Sequence, residues 1–233
     1  WEEQYTLEEV ERHVTRALNR GLDSGTISLE NGVGTLQATP WGLAVASKGV
    51  SLSTARSMEE WLRYSQYRQW NTIDVLLALS LCEDGRNYSV TLYNCEYESQ
   101  CYVEALREHE PEYSGENDVA LSRICNDMRT LYFEDARAIK IALIAHAWIE
   151  QWPIRKIERH YKTMAGQILN AVSQLSWLLD AATAIARAAG VNDDCARRLE
   201  TLALRVEHGM REDALSLLPI VGPGISRKAL ASL

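Results

Sequence analysis

The 233 residues are 46% hydrophobic and 24% charged, and 24 Lys and Arg against 32 Asp and Glu give a net charge of −8. This is the composition of a folded globular chain of one or two domains, and it excludes the disordered, collagen-like and disulfide-dense classes. No uninterrupted apolar run approaches the roughly 18 residues of a membrane span. The opening Trp1-Glu2-Glu3 is no signal peptide. The expected setting is therefore cytosolic (cytoplasmic in a prokaryote, nuclear in a eukaryote), with no membrane partner. A start at Trp1 rather than Met is expected of a piece cut from a longer chain.

In chain order, residues 6–20 place Leu7, Val10, Val14, Ala17 and Leu18 at helical spacing, with Thr6 and Glu9 as a capping box. Residues 26–30 and 33–39 read as two short strands joined by Asn31-Gly32, the pair that favours a two-residue hairpin turn. A helix restarts after Thr39-Pro40. Helix, β-hairpin and helix within about 60 residues is the pattern of a winged-helix unit, whose initial helix and strand would precede Trp1. Ser51 and Ser53 can open the next helix, and another begins near Thr72. Further helices are expected at about 119–132, 135–151, 153–160 and 164–189, before Gly190-Val191-Asn192-Asp193 breaks the series.

Charge is unevenly spread. Residues 83–118 hold ten acids and two bases and include Gly85, Pro111 and Gly115, so an irregular, solvated stretch is expected there. It is also where a basic protein partner would bind. Residues 139–177 hold Lys140, Arg155, Lys156, Arg159 and Lys162 against Glu150 and Glu158, which leaves room for an anionic partner on one face. The five cysteines, at 82, 95, 101, 125 and 195, form no CxxC pair. Reduced thiols are expected, and no metal site.

The segment 164–189 carries the most information. Ile168, Val172, Leu175, Leu179, Ala182 and Ala186 fall within about 40° of one direction on a helical wheel, a buried stripe that Leu178 and Ile185 widen. Trp177 lies about 180° from its centre, among Asn170, Ser173, Gln174, Ala181 and Ala184. A large aromatic on a smooth polar strip suits base stacking, although a long helix buried on two faces would place it the same way. The small and polar neighbours favour the open strip.

Near the end of the chain, an apolar run leads into Gly222-Pro223-Gly224 and then a helix bearing Ala229 and Leu230, the helix-hairpin-helix pattern. Gly222 and Gly224 allow a tight turn whose N–H groups can accept a phosphate, and Arg227 and Lys228 add charge to it. Such a motif grips DNA backbone without reading sequence.

Three stretches resemble the Ski-type DExH helicases of superfamily 2, in the DNA-repair branch that includes archaeal fork helicases, HelQ and the helicase part of DNA polymerase theta. The first is Ala38-Thr39-Pro40-Trp41-Gly42-Leu43-Ala44, followed by Gly49-Val50-Ser51-Leu52-Ser53-Thr54-Ala55. The second runs from Ala147-Trp148-Ile149-Glu150 through Ile157, Tyr161 and Ala165-Gly166-Gln167-Ile168 to Ser176-Trp177-Leu178. The third is Leu204-Arg205-Val206-Glu207-His208-Gly209, then Glu212 to Leu218 and the terminal glycines.

The resemblance implies a mainly α chain: a winged-helix unit with one small β-hairpin (1–55), a helical ratchet bundle (56–191) and a terminal helix-hairpin-helix (192–233). In this family an Arg and a Trp seven residues apart on a ratchet helix stack on the translocating strand. Trp177 matches the Trp, whereas Asn170 stands where the Arg would be. The implied partners are single-stranded or forked DNA and the helicase's own motor domains.

No G-x-x-x-x-G-K-[ST] segment or DExH box is present, so ATP and Mg are expected only in a motor that this chain lacks. No catalytic residue is assigned. The competing readings are an accessory module of an RNA helicase and an acidic protein-interaction module without nucleic-acid contact.

Overall fold

Thr6 opens the first helix, α1 (Leu7–Ser24), with a complete capping box: its side chain accepts from the Glu9 N–H, and the Glu9 carboxylate accepts from the Thr6 N–H at 2.8 Å. The computed structural model describes residues 6–30, 34–67, 70–87, 90–109 and 133–218. Within them the chain is mainly α, with one two-stranded antiparallel sheet.

Strands β1 (Ile27–Glu30) and β2 (Thr35–Ala38) pair in a register that sets Leu29 opposite Leu36 and Glu30 opposite Thr35. Four residues, 31–34, therefore connect the strands, rather than the two-residue Asn31-Gly32 turn, and Gly34 takes the left-handed φ of 73°. The ends of the hairpin are held from outside the turn. Thr39 donates its N–H to Thr26 O at 3.0 Å and its hydroxyl to Gly25 O at 2.7 Å. The same hydroxyl accepts from the Gly42 N–H and so caps α2 (Pro40–Lys48). Here α2 lies so close to the hairpin that a Cβ on Gly42 would sit 2.0 Å from Thr26 O.

α1 buries none of its side chains, and Leu7, Val10, Val14 and Leu18 line an open apolar stripe.

The bundle follows. Ser51 caps α3 (Leu52–Ser65) and Asn71 caps α4 (Thr72–Leu81), each through a side-chain oxygen. The acidic stretch is not irregular through its first half: it forms α5 (Glu83–Arg86) and α6 (Cys95–Arg107). α6 is a packing helix, because Tyr102, Val103 and Leu106 are buried against α7 (Phe133–Ile149). Residues 110–118 of that stretch, and the expected helix at 119–132, lie outside the described residues. α8 (Ile154–Tyr161), α9 (Ala165–Ala188) and α10 (Asp193–His208) complete the bundle, followed by a 3-10 turn at Glu212–Leu217.

α9 is the axis. It has its largest interface with α10, and it also packs against α2, α3, α4, α7 and α8. Ile168, Val172, Leu175, Leu178, Leu179, Ala182, Ile185 and Ala186 are all buried. By length and composition α9 is the one helix among the described residues that could cross a membrane, yet more than half of its most apolar window is covered by the rest of the protein.

A buried ionic group ties α6 to α7. Lys140 is fully enclosed, its Nζ donating to Thr91 O at 2.6 Å and lying 3.4 Å from Glu98 Oε2. Glu98 also accepts from the Tyr102 hydroxyl at 2.9 Å and the Tyr93 N–H at 3.1 Å. Lys140 therefore drops out of the surface charge of residues 139–177. Burial lowers its affinity for a proton, and Glu98 opposes that. Burial pushes the Glu98 carboxyl up, but its four hydrogen-bonded neighbours, Tyr102, Tyr93, Lys140 and the Asn94 N–H, together outweigh this and hold it below the usual range.

Cys82, Cys101 and Cys195 are free thiols.

Candidate nucleic-acid interface

The outer face of α9 divides into two halves. Toward its start, Gly166, Leu169, Asn170 and Ser173 are exposed. A side chain added at Gly166 would meet nothing within 4 Å. Toward its end the same face is covered. Ala181 is fully buried, and Gln174 donates from Nε2 to Asp84 O at 3.1 Å.

Trp177 stands at the boundary, half-buried and packed against the core cluster. Its indole N–H donates to Lys48 O at 2.7 Å. The acceptor is one of the last-turn carbonyls of α2, which lack a partner inside their own helix. One turn further along α9, the Lys48 ammonium reaches back to Asp180 Oδ2 at 2.6 Å. Residues 177 and 180 thus clamp the C-terminus of α2 from two sides.

The wheel places Trp177 opposite the core stripe but cannot show that α2 lies over it. Its cover comes from residue 48, which is 129 positions earlier. Ala181 on this second packed face is fully buried, so smallness here does not mean openness.

Of the residues assigned from sequence, Asn170 and Ser173 share the open half, while Gln174 and Trp177 lie where it closes. Gly222, Gly224, Arg227 and Lys228 lie outside the described residues. The two acids of residues 139–177, Glu150 and Glu158, both have structural partners. Glu150 pairs with Arg205 at 3.2 Å, and Glu158 accepts from the Ala165 N–H at 2.9 Å, which caps α9.

A separate polar cavity of about 270 Å³ lies between the start of α4 and α10. Trp70, Thr72, Arg198, Thr201, Arg205 and Glu212 line it. None of the residues assigned from sequence reaches it. Among the described residues no three His, Cys, Asp or Glu side chains converge as metal ligands would.

A mainly helical bundle wrapped on one long axial helix, with the unit of α1, the two-stranded sheet and α2 clamped to that axis, is the class this fold defines. Residues 73–209, more than half of the chain, match the family described as archaeal helicase, domain 4, and the chain belongs to that family. Curated proteins named ATP-dependent DNA helicase Hel308 are similar to it. The Aeropyrum pernix protein is 24% identical over 230 residues, 94% of this chain and 29% of that protein. The Pyrococcus horikoshii protein is 35% identical over 97 residues, 42% of this chain and 13% of that protein. For Methanocaldococcus jannaschii the figures are 31% over 93 residues, 40% and 8%. The chain spans less than a third of the length of these relatives.

Proposed function

We propose that this chain is a nucleic-acid-binding portion of an ATP-dependent superfamily 2 DNA helicase, in which α9 lies against the translocating single strand as a ratchet. The observation that carries the reading is the open Asn170–Ser173 strip of α9, which ends on an indole held in one orientation. A hydrogen bond at 2.7 Å fixes the ring of Trp177, so a base that stacks on the ring face would meet a preorganised surface rather than a mobile side chain. The relatives named as ATP-dependent DNA helicases support the motor and the DNA.

In this reading ATP and Mg bind to motor domains elsewhere in the helicase. α1, the hairpin and α2 form a winged-helix unit, and its open apolar stripe at Leu7, Val10, Val14 and Leu18 seats against the motor. The glycines at 222 and 224, with Arg227 and Lys228, grip phosphate beyond the bundle.

The test uses Asn170, because it is exposed and its replacement should leave folding intact. Binding of the chain to single-stranded DNA, duplex DNA and single-stranded RNA is measured by fluorescence anisotropy in low salt. Asn170→Arg should tighten single-strand binding by about threefold and steepen its salt dependence by about 0.7 in the log–log slope, while Asn170→Asp weakens it. Identical affinities for all three proteins would overturn the ratchet assignment. An RNA preference would move the reading to an RNA helicase.

A further inference from the structure

The short helix α8, just before the axial helix, concentrates positive charge. Residues 151–179 hold four cations and one acid in a chain of net charge −8. All four cations, Arg155, Lys156, Arg159 and Lys162, lie on or at the end of α8, and all are exposed. None of them is ion-paired with an acid among the described residues. Other exposed arginines divide: Arg63, Arg187 and Arg197 pair with Glu59, Glu200 and Asp194, whereas Arg12, Arg16 and Arg20 of α1 have no acidic partner among the described residues. The one acid of α8, Glu158, is committed to the Ala165 N–H.

Folding alone does not account for this placement. The positive pole of a helix is its N-terminus, so cations are disfavoured there and favoured at the other end. Arg155 and Lys156 occupy the first turn of α8, which contains no acid. Lys162 ends the helix in the left-handed conformation, φ 45°, a position that Gly or Asn fills at less cost. Arg155 and Lys156 thus stand against the helix dipole, while Lys162 accords with it in charge but takes a backbone conformation costly for a side chain other than Gly or Asn.

The cations are also ordered. Ile157 and Tyr161 face the core. Arg155, Arg159 and Lys162, at i, i+4 and i+7, form a line on the outer side about 10 Å long. Beside it Lys156 Nζ lies 3.5 Å from the centre of the Trp152 ring, and the His160 ring packs nearly perpendicular to the same indole with centroids 5.4 Å apart. A row of cations with no acidic partner among the described residues, and an aromatic beside it, suits a polyanion that also carries flat rings. α8 abuts the start of α9, and the exposed Met164, Gly166 and Leu169 join the row to Asn170.

We propose that the outer face of α8 is a phosphate-backbone track for single-stranded nucleic acid, feeding the strand onto the open half of α9. The proposal rests on the nucleic-acid reading above and adds to it a site that has none of the assigned residues.

The test compares two triple variants of the chain that change net charge equally. Arg155→Gln/Arg159→Gln/Lys162→Gln removes the row; Arg63→Gln/Arg187→Gln/Arg197→Gln removes cations that already have acidic partners. Binding to an oligothymidylate is followed across a salt series, with thermal melting as the folding control. The α8 variant should lose at least about tenfold in affinity at low salt and about 2 from the log–log salt slope, at roughly 0.7 per contact. The control variant should bind as the unsubstituted chain does.

Equal weakening of the two variants would reduce the effect to net charge and overturn the track, as would no weakening of either. Poly-glutamate bound as tightly as the oligonucleotide would overturn it too. If the Asn170 variants change binding and the α8 variant does not, the track fails while the ratchet stands; the reverse result keeps the track and removes the ratchet. A chain that binds no oligonucleotide sinks both.

Discussion

Replacing Trp177 by Phe separates the two things this side chain can do. Phe keeps a stacking ring but has no N–H, so Lys48 O loses a partner now at 2.7 Å. A net hydrogen bond contributes about 1 kcal/mol, and the orphaned carbonyl, which water can reach at this half-buried site, adds little more. The loss should be about 1–1.5 kcal/mol. In a chain of this size that lowers the melting temperature by roughly 2–6 °C. Trp177→Ala also removes the ring from the α2–α9 contact and should cost about 2 kcal/mol, below the range for a fully buried aromatic.

The two variants should part on DNA. If the ring stacks on a base, Ala loses about 1.4 kcal/mol of binding, a factor of ten, while Phe keeps most of it. Thermal unfolding followed by circular dichroism, with single-strand anisotropy at a temperature where both variants are folded, reads both quantities. Equal affinity for the two variants and the unsubstituted chain would make Trp177 an anchor only. An unchanged melting temperature in Trp177→Phe would refute the clamp itself.

Removing the buried cation by Lys140→Met leaves the Glu98 carboxylate enclosed with its charge unpaired, and this should cost about 3–5 kcal/mol in denaturant unfolding. Adding Glu98→Gln should recover a large part of that, and a double variant no better than Lys140→Met would contradict the pairing. His146 gives a pH signature. Burial, with His109 at a ring separation of 4.5 Å and Arg205 nearby, pushes its pKa down to about 4. Below its ordinary value near 6.5 the unfolded chain takes up a proton that the folded chain refuses, so stability falls from about pH 6.5 to about pH 4, by up to about 3 kcal/mol. His146→Phe keeps the ring contact and should remove most of that slope, measured as unfolding free energy at intervals across the range; an unaltered slope would reject the assignment.

What could be read in the sequence was local or periodic. Thr6 with Glu9, Thr39 before Pro40, and Ser51 each act within four residues, and each caps a helix as its spacing indicates. The stripe from Ile168 to Ala186 repeats often enough to locate the core face of α9 without any tertiary information.

What could not be read depended on partners far away in the chain. Glu98 looks like one more solvated acid until Lys140, 42 residues later, is packed over it. The Asn31-Gly32 pair signals a two-residue turn, but the anchoring of Thr39 to Gly25 and Thr26 and the Leu29–Leu36 pair fix a register that needs four residues. The open strip of α9 was half legible for the same reason: no periodicity within 165–188 could report that the last turn of α2 lies across its second half.

That cover has a mechanical consequence. The α1–α2 unit meets α9 at the end of α2, through the Trp177 N–H to Lys48 O and the Lys48 ammonium to Asp180. The ion pair is partly exposed and is worth little alone. The hydrogen bond is half-buried and directional, so it sets the geometry. Any rotation of the α1–α2 unit against the bundle must break or carry Trp177, and that residue sits where the open strip ends. A displacement of the unit is thus transmitted to Trp177 before it reaches Asn170 and Ser173, two turns and one turn earlier. Two substitutions separate these parts. Asp180→Asn weakens the outer half of the clamp and should change neither strand affinity nor fold measurably, whereas Trp177→Phe loosens the unit while the strip stays intact. If Asp180→Asn destabilises the chain as much as Trp177→Phe does, the ion pair rather than the indole holds α2, and Trp177 is free to follow the strand.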